Sequence, residues 1–350
     1  MPHDLSNQLV IGIASSALFD LTASDEVFRA QGEDVYRKYQ EENISKPLSP
    51  GVAFPFIKRL LALNDLALDG EPPFVEVIIL SKNDPETGLR VMRSVQYHKL
   101  DISRAVFMQG RSPHAFMPAF KMSLFLSANA DDVANAVGKG LPAGQVLDTS
   151  SESDDSADLR IAFDFDGVLA DDSSEKVMQK GGLKAFHENE VEHLEEPLPE
   201  GLLRNLLAGI NRIQRREEEI RKGNDSYRIR VHVALVTARN APSHERAVKS
   251  LKGWGVTVND AFFLGGVDKA GVLQILKPHI FFDDQTSHLI TASKVVPSVH
   301  VPFGITNEAQ PASVLPAAAE DTDGGAGLSA TNGAISRSEH DAGTAAIPAD

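Results

Sequence analysis

Short runs of apolar and β-branched residues alternate along the chain with stretches in which apolar positions recur every three or four residues. Strands leave the first pattern and amphipathic helices the second, so the alternation predicts an α/β fold. In the second part of the chain, Leu159–Phe165, Val231–Val236, Ala261–Leu264, Ile280–Phe282 and Ser298–Val301 predict buried strands. Ser173–Glu190, Gly201–Lys222, Ser243–Trp254 and Lys269–Leu276 predict helices. Pro242 ahead of Ser243 and Glu245 suits a helix start.

The pattern occurs twice. At an offset of 156, Ala105–Gly110 lies over Ala261–Gly266, Leu124–Leu126 over Ile280–Phe282, and Ile79–Ser81 over Leu235–Thr237. At an offset of 150, Ile13–Phe19 covers Phe163–Leu169. Glu42–Gly51 resembles His193–Gly201 after a small gap. An offset kept through three successive strands predicts an internal duplication, hence two tandem Rossmann-like domains. The expected boundaries are a first domain at 1–147, a linker at 148–158, a second domain at 159–305 and a tail at 306–350.

Charge locates the linker and the tail. The net charge is −15, but residues 148–158 carry five acids and no base, and residues 306–350 carry seven acids and one arginine. Eleven of the fifteen excess negative charges therefore lie outside the predicted domains. The tail, poor in aromatic residues and rich in Ala, Gly, Ser and Pro, is expected to be disordered. What remains is too weakly charged for a nucleic-acid groove, which needs a basic stripe. The absence of cysteine excludes disulfides, thiolate-ligated metals and thiol nucleophiles. No apolar run reaches membrane-spanning length and no leader pattern opens the chain, so neither a membrane nor secretion is expected and the location expected is cytoplasmic.

The candidate chemistry stands at predicted strand ends. Asp164-Phe165-Asp166-Gly167 closes an apolar run, and strand alternation puts Asp164 and Asp166 on one face. Ligands of open α/β sheets bind at the carboxyl ends of strands. Two carboxylates so close repel unless a cation lies between them, and a hard divalent ion with oxygen ligands answers that. Thr237 ends a second strand with a hydroxyl, Lys269 opens a helix with a fixed cation, and Asp283-Asp284 ends a third strand with two more acids. No HExxH pattern and no GxxxxGK[ST] loop occurs.

This ordered set resembles the four motifs of the haloacid-dehalogenase-like phosphohydrolase superfamily. Ser15–Asp20, Leu235–Arg239, Pro278–Gln285 and His300–Gly304 narrow the likeness to the cytosolic 5′-nucleotidase I family, from about residue 8 to 305. The resemblance implies two haloacid-dehalogenase-type domains, the first degenerate and the second active, with a helical cap inserted at about 172–228. It implies Mg²⁺-dependent hydrolysis of nucleoside 5′-monophosphates, AMP or IMP, through an aspartyl-phosphate. Asp164 would be the nucleophile, Asp166 the acid and base, and Thr237 and Lys269 would hold the phosphoryl oxygens. Asp164, Asp166, Asp283 and Asp284 would provide the metal site, either of the last two binding directly. Phe186, His187 and His193 are candidates for contact with base or ribose.

On the repeat, Ala14, Ser16, Pro113 and Ser127-Ala128 replace Asp164, Asp166, Lys269 and Asp283-Asp284, and Ser81 alone keeps the hydroxyl of Thr237. The first half is therefore expected not to catalyse. Having lost its acids, it could hold an anionic nucleotide effector on Ser16, Ser81, Lys82 and Arg111. Partners expected are the substrate nucleotide, that effector and a second copy in a homo-oligomer. A phosphatase for a sugar phosphate would carry the same motifs, and a non-catalytic nucleotide sensor is the alternative of another class.

Overall fold

The computed structural model describes residues 4–147 and 156–307. Most of the predicted linker and the tail beyond residue 307 lie outside the described residues. The first half supplies strands β1 (Leu9–Ile13), β2 (Val75–Ser81), β3 (Arg104–Phe107), β4 (Leu124–Ser127) and β5 (Ala143–Val146). The second supplies β6 (Leu159–Phe163), β7 (Val231–Thr237), β8 (Asp260–Phe263), β9 (Ile280–Asp283) and β10 (Ser298–His300). Six helices fall in the first half: α1 (Ser15–Leu18), α2 (Thr22–Gln31), α3 (Glu33–Glu42), α4 (Phe54–Ala62), α5 (Pro85–Tyr97) and α6 (Ala130–Val137). Five follow in the second: α7 (Ser173–Glu192), α8 (Arg204–Gly223), α9 (His244–Gly253), α10 (Lys269–Leu276) and α11 (Thr286–Ala292).

All ten strands join in one sheet, in the order β3-β2-β1-β4-β5-β10-β9-β6-β7-β8. Neighbours within each half run parallel, and the two halves meet where β5 and β10 pair antiparallel, Val146 opposite Val299. Each half uses its strands in the same spatial order, and β2, β3 and β4 precede β7, β8 and β9 by 156 positions. Central strands such as β1 and β2 are buried along their whole length, because helices cover both faces of a parallel sheet.

The cores do not follow the predicted boundary on both faces. On one face a single apolar cluster takes Leu9, Ile11, Ile13 and Val77 from the first half together with Ile161, Phe163, Leu207 and Val233 from the second. On the other face the two halves keep separate clusters, one around Ile78 and Phe125, the other around Val236 and Phe281. The described residues fall in one compact unit as a result. Helix α8 accounts for much of the sharing. It buries Leu206, Leu207, Ile210 and Ile213 in the common cluster, and Arg216 donates from it to the Leu66 carbonyl at 3.1 Å. Beyond its end, Arg230 on the approach to β7 forks onto both oxygens of Asp65 in the first half.

The helical stretch expected as a cap at 172–228 thus divides. Helix α8 is held against the sheet by its apolar face, while α7, broken at Gly182, supplies the residues that meet the strand ends described below. Between them the chain returns beneath the β6 loop, where Ala170 bridges to Glu200. A Cβ at Gly201 would stand 2.6 Å from the Val168 carbonyl oxygen and press on that of Ala170, both backbone atoms with no freedom to retreat. Gly201→Ala should therefore cost about 1–3 kcal/mol of stability by overpacking. Urea unfolding would measure it, and a midpoint equal to that of the unsubstituted protein would contradict this packing.

Candidate functional site

Strand β6 ends at Phe163, and the chain turns away at Asp164, whose N–H still donates to the Phe282 carbonyl at 2.8 Å. Asp164 Oδ1 accepts from the Phe165 N–H at 2.7 Å, and its Oδ2 lies 2.9 Å from Lys269 Nζ. The same ammonium donates to Asp283 Oδ2 at 2.6 Å. Lys269 opens α10 after the β8 strand end, and its helix is capped by Asp268, which accepts from the Ala270 N–H. Asp164, Lys269, Asp283 and Asp284 are all buried.

One ammonium among these carboxylates sets their protonation. Burial pushes Asp164 up to about 6, Lys269 opposing the rise and Asp283 and Asp166 adding to it. Asp283 is held below the usual carboxylate range, because Lys269 and His288 outweigh its burial. Lys269 is raised in turn, the two carboxylates overcoming the cost of burying its charge. Asp284 has no such partner. Burial, with Asp164 and Asp283 beside it, pushes it up to about 9.

That last carboxylate has the free acceptor. Asp284 Oδ2 takes the Thr306 hydroxyl at 2.8 Å, while Oδ1 is buried with no hydrogen-bond partner. The loop after Asp166 comes this close because residue 167 is glycine, at φ 72°; a Cβ there would lie 2.5 Å from Asp284 Cγ. A divalent cation fits an orphaned buried carboxylate oxygen among excess negative charge. Asp164, Asp283 and His288 also converge within 4.8 Å, but the Lys269 ammonium already bonds Asp164 and Asp283. Asp283 further spends Oδ1 on the Gln285 N–H at 2.8 Å. The donor set therefore favours Asp284 over Asp283 as a direct ligand.

Thr237 closes β7, buried, and its Oγ1 accepts from the Arg239 N–H at 3.2 Å, which leaves its own proton to donate. Asp166 lies in the same loop as Asp164, but both its oxygens are taken by Arg239, at 2.7 Å from Nε and 2.7 Å from Nη2. Arg239 also reaches Glu190, Ser174 and the Ser243 carbonyl, and its guanidinium lies over the rings of Phe165 and Phe186. Arg246 reaches the other Glu190 oxygen at 3.0 Å.

The structure therefore brings Asp164, Asp166, Thr237, Lys269, Asp283 and Asp284 together. Phe186 packs over Arg239, and His187 shares a 3.0 Å hydrogen bond with Asn240 at the edge of the site. His193 bonds the Asn189 carbonyl one turn back at the end of α7. Sequence reasoning gave no role to Arg239, Glu190, Arg246, Ser174, His288 or Thr306. Arg239 carried a signal, standing two residues beyond Thr237, but Glu190 is one acid among many on a charged helix.

One expectation needs correction. The predicted tail began at 306, yet Thr306 and Asn307 dock on Asp284, and the Ile305 N–H donates to Asp172 at 2.8 Å. Short polar side chains hold this segment, so composition alone missed it. In the first half, Ser81 bonds Ser15 at 3.0 Å, and Lys82 pairs with Asp132 at 2.6 Å. Arg111 is exposed and turns back to the Met108 carbonyl. Of Ser16, Ser81, Lys82 and Arg111, the last three are thus engaged with other groups of the first half. Of the four, Lys82 alone lines a cavity of about 460 Å³ there, with Phe28, Arg29, Tyr36 and Asn83.

Glu190 is the buried centre of the arginine cluster. Burial raises its pKa, but Arg239, Ser174 and Arg246 together bring it below the ordinary 4.5. Its stabilising contribution is complete above that ordinary value and is lost as pH falls through the depressed one. Glu190→Gln should cost about 3–5 kcal/mol at neutral pH by leaving buried guanidinium charge uncompensated. Urea unfolding at descending pH should then show a smaller acid loss in the variant than in the unsubstituted protein.

The model of a family described as 5′-nucleotidase matches residues 1–308. Human cytosolic 5′-nucleotidase 1B is similar as well, 30% identical over 300 residues, covering 84% of this chain and 48% of that protein. The chain thus spans about half the length of that curated relative. No solved structure matches. Among the described residues, no helix is long and apolar enough to cross a membrane. With a family match running through both halves of the sheet and the whole acidic site, the chain belongs to the 5′-nucleotidase family.

Proposed function

We propose that the chain is a Mg²⁺-dependent 5′-nucleotidase acting on nucleoside 5′-monophosphates, AMP or IMP, in the cytoplasm. The observation that carries this is the buried cluster of Asp164, Lys269, Asp283 and Asp284, with one carboxylate oxygen left without a partner. Family membership supplies the substrate class.

Asp164 attacks phosphorus in line, forming an acyl-phosphate as the bond to the 5′-oxygen breaks. Lys269 and the Thr237 hydroxyl bind the phosphoryl oxygens through the displacement. Asp166 gives its proton to the departing 5′-oxygen, then takes one from the water that opens the acyl-phosphate. Asp164, the Asp166 carbonyl and Asp284 would hold Mg²⁺, with Asp283 behind, and the ion would neutralise phosphoryl charge. Burial raises the Asp164 pKa, and Lys269 beside it opposes the rise and favours the ionised form that a nucleophile requires.

In this reading the halves are two haloacid-dehalogenase-type copies, α7 caps the second, and the first no longer catalyses. Contacts recur at the repeat offsets: the Leu48 N–H donates to Ser94 Oγ at 2.9 Å, as Leu198 does to Ser250 at 2.9 Å. An effector would lie in the 460 Å³ cavity of the first half, where the rings of Phe28 and Tyr36 and the cations of Arg29 and Lys82 line the wall together with the carboxylates of Asp25, Glu33 and Asp84.

Phosphate release from a panel of nucleoside monophosphates and sugar phosphates, with and without EDTA, tests the substrate class. Asp164→Asn should lower turnover by several orders of magnitude while the fold survives. Release from sugar phosphates alone would favour the other phosphatase reading; release from none would leave a sensor. Thr306→Val removes the donor on Asp284 Oδ2 and should weaken Mg²⁺ binding about tenfold, read by calorimetry.

A further inference from the structure

Asp166 does not stand free. Arg239 grips both of its oxygens, and the rest of that guanidinium is committed elsewhere. Nη2 also donates to Ser174 Oγ at 2.9 Å, and Nη1 donates to Glu190 and to the Ser243 carbonyl. Phe165 and Phe186 stand 4.9 and 5.3 Å from its carbon. Ser174, Phe186 and Glu190 all belong to α7, whereas Asp166 belongs to the loop after β6. Arg239 is buried throughout. A planar fork fixes the rotation of a carboxylate as well as its distance, which a lysine ammonium does not do. At the matching offsets of the first half, Asn83 stands for Arg239 and Ser16 for Asp166, so fork and carboxylate are absent together.

We propose that Arg239 is a positioning residue for the acid–base step, setting the rotation of Asp166 and passing the position of α7 on to it. This rests on the phosphohydrolase reading above. A nucleoside leaves as an alkoxide and needs its proton delivered as the P–O bond breaks. Nitrophenolate leaves as a stable anion and needs none. The same Asp164 displaces both, so the two esters separate the nucleophile from the acid.

The test measures first-turnover release of adenosine from AMP and of nitrophenolate from p-nitrophenyl phosphate, with enzyme in excess and Mg²⁺ present. Arg239→Lys should slow adenosine release about 100-fold, the size of a lost acid contribution. KM and nitrophenolate release should stay unchanged within error. Ser174→Ala touches Arg239 and not Asp166, and should shift the ratio of the two rates in the same direction by a smaller factor. That milder variant decides the question should Arg239→Lys fail to fold. Guanidinium ion added to Arg239→Ala should restore part of the adenosine rate. Equal losses with both esters would reduce Arg239 to a structural role and overturn the proposal, as would an unchanged adenosine rate. Unsubstituted protein that releases neither product would reject the phosphohydrolase reading itself, and the proposal with it.

Discussion

A single ammonium group, that of Lys269, holds the site together. It lies between Asp164 and Asp283 at hydrogen-bonding distance from each, in surroundings from which water is nearly excluded. Desolvation alone would protonate these carboxylates, and Lys269 is the fixed charge that opposes it. Together with His288 it prevails at Asp283, and it opposes the rise only partly at Asp164 and Asp284, the latter pushed up to about 9. The site is thus short of one positive charge, and the shortage falls on the carboxylate with an unpartnered oxygen. The nucleophile and the cation site proposed above would both draw on the same imbalance.

The sheet makes that arrangement possible. Carboxyl ends of β6, β7 and β9 lie side by side, which brings Asp164, Thr237 and Asp283 together from positions far apart in sequence. Those strands are central in their half and buried apart from Arg160 on β6 and His232 on β7, and their carboxyl-terminal residues are all buried, so their ends have little freedom. Sharing one apolar face between the halves extends this support, since α8 is packed against strands of both. The first half carries this packing role without those ionisable groups: Ala14 and Ser127 are buried at the positions that match Asp164 and Asp283 of the second.

Much of this was legible in the sequence, and the limits have physical causes. The strands predicted in the second half appear within one or two residues of their observed bounds, because parallel strands read as uninterrupted apolar runs, but β8, expected to be buried, lies at the sheet edge with its residues exposed or half-buried. Asp164, Thr237, Lys269 and Asp283 were legible because each follows such a run or opens a helix. The β5–β10 junction was not, since an antiparallel pairing of four-residue and three-residue strands leaves no periodic mark. Thr306 was hidden in a polar tail, its hydroxyl acting on a residue 22 positions away. Arg239 and Glu190 were visible only as charges, and a charge does not announce that it is buried.

The arginine cluster shows why such buried charges change in company. In the second half Asp166, Glu190, Arg239 and Arg246 form two opposed pairs, so burial meets balanced charge. The corresponding positions of the first half are Ser16, Gln40, Asn83 and Arg90. Three of four have become neutral, and the remaining guanidinium is supported by neutral oxygens, Gln40 Oε1 at 3.0 Å and the Lys46 carbonyl at 3.0 Å. Retaining Glu190 without Arg239, or Arg239 without Asp166, would leave a charge out of water with too few partners, at a cost no surface ion pair approaches. Asp166 in this fold is therefore tied electrostatically to buried residues of α7 and α9 through Arg239, and where its position holds a serine the matching charges are absent as well.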